Sequence, residues 1–239
     1  MSELRDLVLT AHGGIERWQK VKTIDGDMSI TGLLWTRKGW NDALKGVHVT
    51  ADVRNQQLSY QPFTDPGMRS VYRPDQVVIK SLDGKLIKER SNPRAAFGSH
   101  TMETRWDDLD LAYFSGYAMW NYLNTPFLFV LPGFKTEEIE PWNEHGEQWR
   151  RLKVTFPNTV ATHCAEQIFH VNGGGLICRL DYSAAVTGGI PTAHYMSDYR
   201  EFDRIKIATK RRALRRNPDG TAVPDPVVVA IDITDIRLS

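Results

Sequence analysis

Cysteine is scarce. Cys164 and Cys178 are the only two in 239 residues, which excludes a disulfide scaffold. Net charge is nearly absent as well. Thirty lysines and arginines stand against 29 aspartates and glutamates, so the chain is not a polycation that coats nucleic acid, although a local basic patch stays open. No uncharged apolar run reaches the roughly 18 residues of a spanning helix, and no transmembrane segment is expected. The first 19 residues carry Glu3, Arg5 and Asp6 and no leader-like apolar stretch. With so few thiols to oxidise, these absences predict a cytoplasmic protein, periplasmic only if a leader has been removed.

Signatures of chemistry are sparse. Seven histidines (12, 48, 100, 145, 163, 170 and 194) show no H-x-H, H-x-x-x-H or H-E-x-x-H spacing. A metal site would need distant residues such as His170 and His194 to converge. His163-Cys164 is an adjacent pair, which on a strand points to opposite faces. No G-x-S-x-G elbow occurs. Gly173-Gly174-Gly175 lacks the Lys-Ser or Lys-Thr of a phosphate loop. His12-Gly13-Gly14 has the letters of an oxyanion-hole motif but follows a helical pattern, so a helix break or a close-packing point is expected instead. His194 and Asp198 share a face on a regular strand but lie about 13 Å apart, too far for a hydrogen bond. No catalytic residue, metal or cofactor is assigned.

Turns and strands are plentiful. Asp25-Gly26, Asp83-Gly84, Asn172-Gly173 and Asp219-Gly220 are turn dipeptides. Strand-like runs cover 47–53, 57–60, 68–72, 76–80, 86–89, 134–140, 148–156, 166–171, 176–182, 194–202, 205–214 and 227–237, the spacing of an antiparallel sheet. No linker or repeat interrupts them, so residues 1–239 are expected to form one domain.

Two helical regions are predicted. Leu4, Leu7, Val8, Ala11, Ile15 and Trp18 recur at spacings of three and four, with Ser2 as the N-cap. The second helix runs from about Asp107 to Leu123. Asp107 and Asp108 suit its N-terminus, and Pro126 stops it. Leu109, Tyr113, Gly116, Tyr117, Trp120 and Leu123 form one face; Leu111, Phe114, Ala118 and Tyr122 form another. A helix apolar nearly all round must be covered on most sides. In a β-rich chain it belongs in the concavity of a curved sheet, either as a fully buried core helix or as one wall of an apolar cavity.

Two further features are uneven. Residues 200–216 hold eight bases (Arg200, Arg204, Lys206, Lys210, Arg211, Arg212, Arg215 and Arg216) against Glu201 and Asp203, a local balance of +6. Strand geometry predicts a basic stripe there: a solvated sheet face, a surface for anionic ligands or headgroups, or, least supported, for nucleic acid. Trp35 and Trp40 bracket Thr36–Gly39, read as a hairpin tip, and Trp142 and Trp149 flank another turn. Such rings either fold back over the sheet or present a contact surface to a partner.

The order of elements resembles the LolA/LppX-like half-barrel proteins, the lipoprotein-sorting-protein-like family, in a bacterial branch. The opening 11–21 (Ala-His-Gly-Gly-Ile-Glu-Arg-Trp-Gln-Lys-Val), followed by Thr23-Ile24 and Gly32, is similar to the start of such proteins, with Gly-Gly after the first helix and the valine entering the first strand. Asp198-Tyr199-Arg200-Glu201-Phe202, Thr209-Lys210-Arg211-Arg212 and Asn217-Pro218-Asp219-Gly220 resemble their closing hairpins. The resemblance implies a mainly β (α+β) fold: a strongly curved antiparallel half-barrel whose concave side is closed by the N-terminal helix and the apolar mid-chain helix. It also implies a capacity for lipid-like ligands and assigns no catalytic residue.

The expected function is to bind or carry a small hydrophobic or amphipathic molecule between sheet and helix. Tyr113, Phe114, Tyr117, Trp120 and Phe127 are the candidate wall, and arginines of 200–216 would hold a carboxylate or phosphate head if they face the mouth. An enzyme acting on a hydrophobic molecule in the same cavity, marked by a polar pair inside it, is the alternative. A non-catalytic interaction module using the tryptophan-bearing loops is another.

Overall fold

A computed structural model describes residues 3–239; the Ser2 cap lies outside them. Each of the twelve strand-like runs falls on a strand. The first half of the chain gives β1 (Thr23–Thr31), β2 (Leu44–Asp52), β3 (Gln57–Gln61), β4 (Met68–Tyr72), β5 (Gln76–Ser81) and β6 (Leu86–Ser91). The second half gives β7 (Lys135–Glu144), β8 (Glu147–Thr155), β9 (Glu166–Val171), β10 (Ile177–Ala184), β11 (Ile190–Phe202), β12 (Ile205–Arg216), β13 (Ala222–Val223) and β14 (Val229–Leu238). They form one antiparallel sheet in the order β6-β5-β4-β3-β2-β1-β14-β12-β11-β10-β9-β8-β7, with β13 beside β12. Two meanders thus meet at a seam where Ile24 lies opposite Leu238 and Ile30 opposite Ile231. β6 and β7 are unpaired outer edges, so the sheet is an open, curved half-barrel and not a closed barrel.

Alternation decides which face turns inward. In β1, Ile24, Met28 and Ile30 are buried while Asp27 faces solvent. The Asp25-Gly26 turn expected from the sequence does not form. Gly26 sits inside β1 opposite Ile236, and an added Cβ would lie 2.7 Å from the Ile236 Cδ1, so the glycine makes room for a neighbouring side chain.

The helix α4 (Asp108–Asn124) fills the concavity, and residues 109–124 are all buried. Its start is a capping box: the Asp110 N–H donates to the Asp107 carboxylate (2.8 Å) and the Asp107 N–H to the Asp110 carboxylate (3.2 Å). β6 has no apolar inner face and is tied to that start by ion pairs, Lys88 to Asp108 and Arg90 to Asp107 and Asp110. Three polar residues within the helix donate to carbonyls four residues back: Ser115 to Leu111, Asn121 to Tyr117 and Asn124 to Trp120. Those donors are therefore satisfied without water.

Three short helices pack around this frame. α1 (Glu3–Ala11) and α2 (Ile15–Trp18) close one end of the concavity, where Trp18 stacks on Phe127 with centroids 4.3 Å apart. Gly13 between them has φ +114°, and a Cβ there would lie 2.1 Å from the Arg204 carbonyl, so His12-Gly13-Gly14 is a close-packing point. α3 (Leu33–Lys38) corrects the expected hairpin tip at Thr36–Gly39: the segment is helical, with Gly39 as a left-handed C-cap. Six residues carry too little periodicity to distinguish a helix from a turn.

The basic segment is not a single stripe. Arg211 is buried among the core side chains, Arg212 pairs with Asp232, Arg216 approaches Asp181, and Arg215 is exposed. One irregularity lies opposite it. Asp198 adopts φ +54° and shifts the alternation of β11, so His194 and Met196 point inward, Asp198 turns out toward Lys210, and Tyr199 takes the inward place. His194 and Asp198 therefore do not share a face.

At Gly116 α4 approaches the sheet closely; a Cβ there would lie 2.4 Å from the Tyr72 Cβ. Gly116→Ala gains roughly 1 kcal/mol of helix propensity but forces the fully buried Tyr72 aside near its Cβ, an overpacking in the upper part of the usual range, about 2–3 kcal/mol, which outweighs that gain. Urea unfolding followed by circular dichroism should show a net loss of about 1–2 kcal/mol; a stabilised variant would mean that helix and sheet separate freely here.

Candidate functional site

An apolar cavity opens between α3, α4 and the inner face of β10–β12. Leu33 and Leu34 come from α3, Phe114 from α4, Tyr182 and Ala184 from β10, Ile190 and Thr192 from β11, and Ala213 from β12, with Val228 and Val229 closing the far side. Met102 and Pro226 complete its apolar lining; Thr187, Arg37 and Arg215 are its other polar members. The enclosed space is about 140 Å³, within about 820 Å³ when the open mouth is counted.

The walls are fixed by backbone contacts. The Leu33 and Leu34 N–H groups donate to the Val227 and Val228 carbonyls (3.1 and 3.0 Å), which spends two free donors of the α3 N-terminus on the approach to β14. Gly32 permits this, since a Cβ there would lie 2.6 Å from the Val228 carbonyl oxygen. At the other end of α3, the buried Lys38 ammonium donates to the carbonyls of Thr101, Met102 and Thr104 at 2.9–3.1 Å. It thereby holds the loop that carries Met102 against the cavity. Burial lowers its pKa, opposed by nearby Glu103 and Asp110.

Of the five residues expected to form the wall, Phe114 lines this cavity. The others are buried around the same helix on different sides. Tyr113 faces a cleft beside the 3-10 helix Pro93–Ser99, with its hydroxyl 3.5 Å from Arg94. Tyr117 meets His163, Trp120 donates to the Asp52 carbonyl (2.7 Å), and Phe127 stacks on Trp18. The lining from α3 and β10–β12 escaped sequence reasoning, because no local pattern signals which strand residues meet across a sheet. The tryptophans fold back on the sheet: Trp35 is buried on the inner side and Trp40 donates to the Trp106 carbonyl (2.9 Å), whereas Trp142 and the buried Trp149 lie against His170 on the outer face.

Behind Phe114 lies a buried polar chain. The Tyr117 hydroxyl is 3.0 Å from His163 Nδ1, the Tyr122 hydroxyl 2.7 Å from His163 Nε2, and the Tyr122 and Tyr182 hydroxyls are 3.2 Å apart. A neutral imidazole donates from one nitrogen and accepts at the other, so both are occupied by phenols and neither is left for substrate. Burial, reinforced by Arg94, lowers the His163 pKa to about 3. His12 falls to about 4, again mainly through burial, although its bond to the Val8 carbonyl opposes the shift. His194 lies edge-on to Tyr122 and is also pushed well down by burial, then by Arg211.

The outer face carries a separate ion network. Arg179, fully buried, donates to both Asp181 oxygens (2.6 and 2.9 Å), to Glu144 (2.9 Å) and to the Gly220 carbonyl (2.6 Å), while His170 Nε2 lies 3.2 Å from Asp181. Trp142 covers it, with the guanidinium 5.5 Å from its ring. His170 pairs across the sheet with Arg179 on this outer face, whereas His194 pairs with Ala213 on the inner one, so the two do not converge. No group of three or more potential metal ligands occurs among the described residues. A larger groove of about 490 Å³ on β1–β5 is polar, and several of its side chains are already engaged: His48 with Asp27 and Arg73 with Gln57, both at 2.8 Å. No helix among the described residues is long and apolar enough to cross a membrane.

The architecture has known counterparts. A DUF1329 family protein from Desulfovibrio piger superposes with a TM-score of 0.53 at 15% identity, covering 99% of this chain and 92% of the other. A LolA superfamily protein from Nitrosomonas europaea gives 0.52 at 11% identity, covering 97% and 92%. A domain assigned as an outer membrane lipoprotein-sorting protein from Vibrio parahaemolyticus gives 0.51 at 10% identity, covering 98% and 92%. The fold is therefore the LolA-like half-barrel that the order of elements resembles. No family model and no curated protein matches the sequence.

The buried histidines make stability depend on pH. Unfolded, each titrates near 6.5; folded, His12 and His163 titrate at about 4 and about 3. Below pH 6.5 the unfolded chain takes up protons that the folded one refuses, so stability falls as pH falls toward the folded values. At pH 5 each histidine removes about 2 kcal/mol, roughly 4 kcal/mol for the two. Urea midpoints should drop sharply between pH 7 and pH 5; equal midpoints would show that the imidazoles are charged or solvated in the fold.

Proposed function

We propose that the protein binds a small hydrophobic or amphipathic, lipid-like molecule, with its apolar part in the cavity between α3, Phe114 and β10–β12, and that the whole sheet acts as one domain around it. The observation that carries this reading is the lining itself, which is mostly aliphatic and aromatic, with two exposed arginines, Arg37 and Arg215, among its few polar members. The fold is shared with a LolA superfamily protein and a domain assigned to lipoprotein sorting, which supports a lipid-like class of ligand.

Size narrows the class. An engineered dry cavity of about 150 Å³ accepts benzene, and the enclosed volume of about 140 Å³ here is similar. One ring or one acyl segment fits that space. Burying that segment yields about 25 cal/mol per Å² before the costs of association. Phe114 is the wall in this reading, while Tyr113, Tyr117, Trp120 and Phe127 act by fixing the helix that carries it.

A neutral fluorescent probe such as N-phenyl-1-naphthylamine should bind saturably at one site. Thr192→Trp, which places an indole in the mouth, should weaken it about tenfold or more, equivalent to at least roughly 1.4 kcal/mol, with an unchanged circular dichroism spectrum. No saturable binding, or equal binding by the variant, would refute the assignment.

A further inference from the structure

We infer that the ligand is an anion: a single-chain amphiphile whose carboxylate or phosphate head is held between Arg37 and Arg215 while its tail enters the cavity. This rests on the cavity being the ligand site and goes on to assign the head.

The two arginines reach the same mouth from different elements, Arg37 from the last turn of α3 and Arg215 from the end of β12. Both are exposed, and neither makes a salt bridge or a side-chain hydrogen bond among the described residues. Their neighbours behave differently. Lys210 faces Asp198, Arg212 pairs with Asp232 at 2.7 Å, Arg216 approaches Asp181, and Lys38 is consumed by three carbonyls. Within α3 and residues 210–216, Arg37 and Arg215 are thus the cations left without a salt bridge or side-chain hydrogen bond, and both line the cavity. No aspartate or glutamate is among its lining residues, so an entering anion meets two positive charges and no negative one.

The setting favours this recognition over mere surface charge. A guanidinium presents a planar fork of donors that matches a carboxylate or phosphate in a bidentate way. The apolar floor lowers the local dielectric, which strengthens the attraction at the rim relative to open solvent. Thr192 lies cross-strand from Arg215, but its hydroxyl donates to the Ile190 carbonyl (3.2 Å), which leaves the head to the two arginines. A neutral or cationic amphiphile finds none of this complementarity, and a cationic head is repelled.

Calorimetric titration with decanoate and decyl phosphate below their micellar concentrations, and decanol below its solubility limit, tests the assignment. At low ionic strength the wild type should bind decanoate at least tenfold more tightly than decanol. Arg37→Gln and Arg215→Gln should each weaken decanoate about fivefold and leave decanol unchanged. The double variant should lose the preference, and about 0.5 M salt should erode it in the wild type. Decyl phosphate binding more tightly than decanoate would identify a phosphate head, and the reverse a carboxylate; both support the anion site. Equal binding of decanol and decanoate by the wild type, or a preference that survives in the double variant, would overturn it while leaving the apolar cavity in place. Failure of all three amphiphiles together with the neutral probe would overturn both readings. Both side chains face solvent, so the variants should fold, and circular dichroism checks this.

Discussion

The structure depends on one helix that no surface could accommodate. α4 is apolar on every side, and residues 109–124 are buried. A helix of that kind must be enclosed, and here the enclosure is the sheet. Both halves of the sheet hold it through its few polar positions. From the first half, the Tyr60 hydroxyl donates to the Ser115 carbonyl, and Trp120 donates back to the Asp52 carbonyl. From the second half, Arg211 donates to the Tyr122 carbonyl and lies over its ring, 5.1 Å from the centroid. The cavity is what remains where this enclosure is incomplete, beside Phe114.

Charge is distributed to match. The near-neutral total conceals three separate uses of cations. Lys88 and Arg90 clasp the acidic start of α4 and anchor an edge strand that has no apolar face of its own. Arg179 is sunk in the outer ion network, where carboxylates on both sides offset its desolvation. Arg37 and Arg215 stand without such partners at the cavity mouth. A residue count cannot separate these cases, because only the cross-strand register decides which arginine meets which aspartate.

Much of the fold was legible in the sequence. The mid-chain helix could be read from uniform apolarity between an acidic entry and Pro126, and the hairpins from alternation flanked by turn dipeptides. Elements that violate a local rule for a tertiary reason were missed. Asp25-Gly26 looks like a turn because the reason for its glycine is Ile236, more than two hundred residues away. The inward run of β11 changes at Asp198, so even spacing from His194 misleads. α3 is too short for periodicity. Of the candidate cavity's lining, Phe114 alone was named from the sequence, since the rings of a helix apolar on all sides point in every direction and the sequence cannot say which one meets open space.

The seam between β1 and β14 has a consequence for how the molecule comes into being. The central strands of the sheet lie near the two ends of the sequence, while its edges, β6 and β7, flank α4 in the middle. Each meander can close on neighbours nearby in the chain, but joining them pairs Ile24 with Leu238. Such a contact closes a loop of more than two hundred residues and carries a large loop-closure entropy. Until residues 229–238 are in place, the enclosure of α4 stays divided between two unjoined half-sheets. For that interval the most apolar segment of the molecule has only part of its cover.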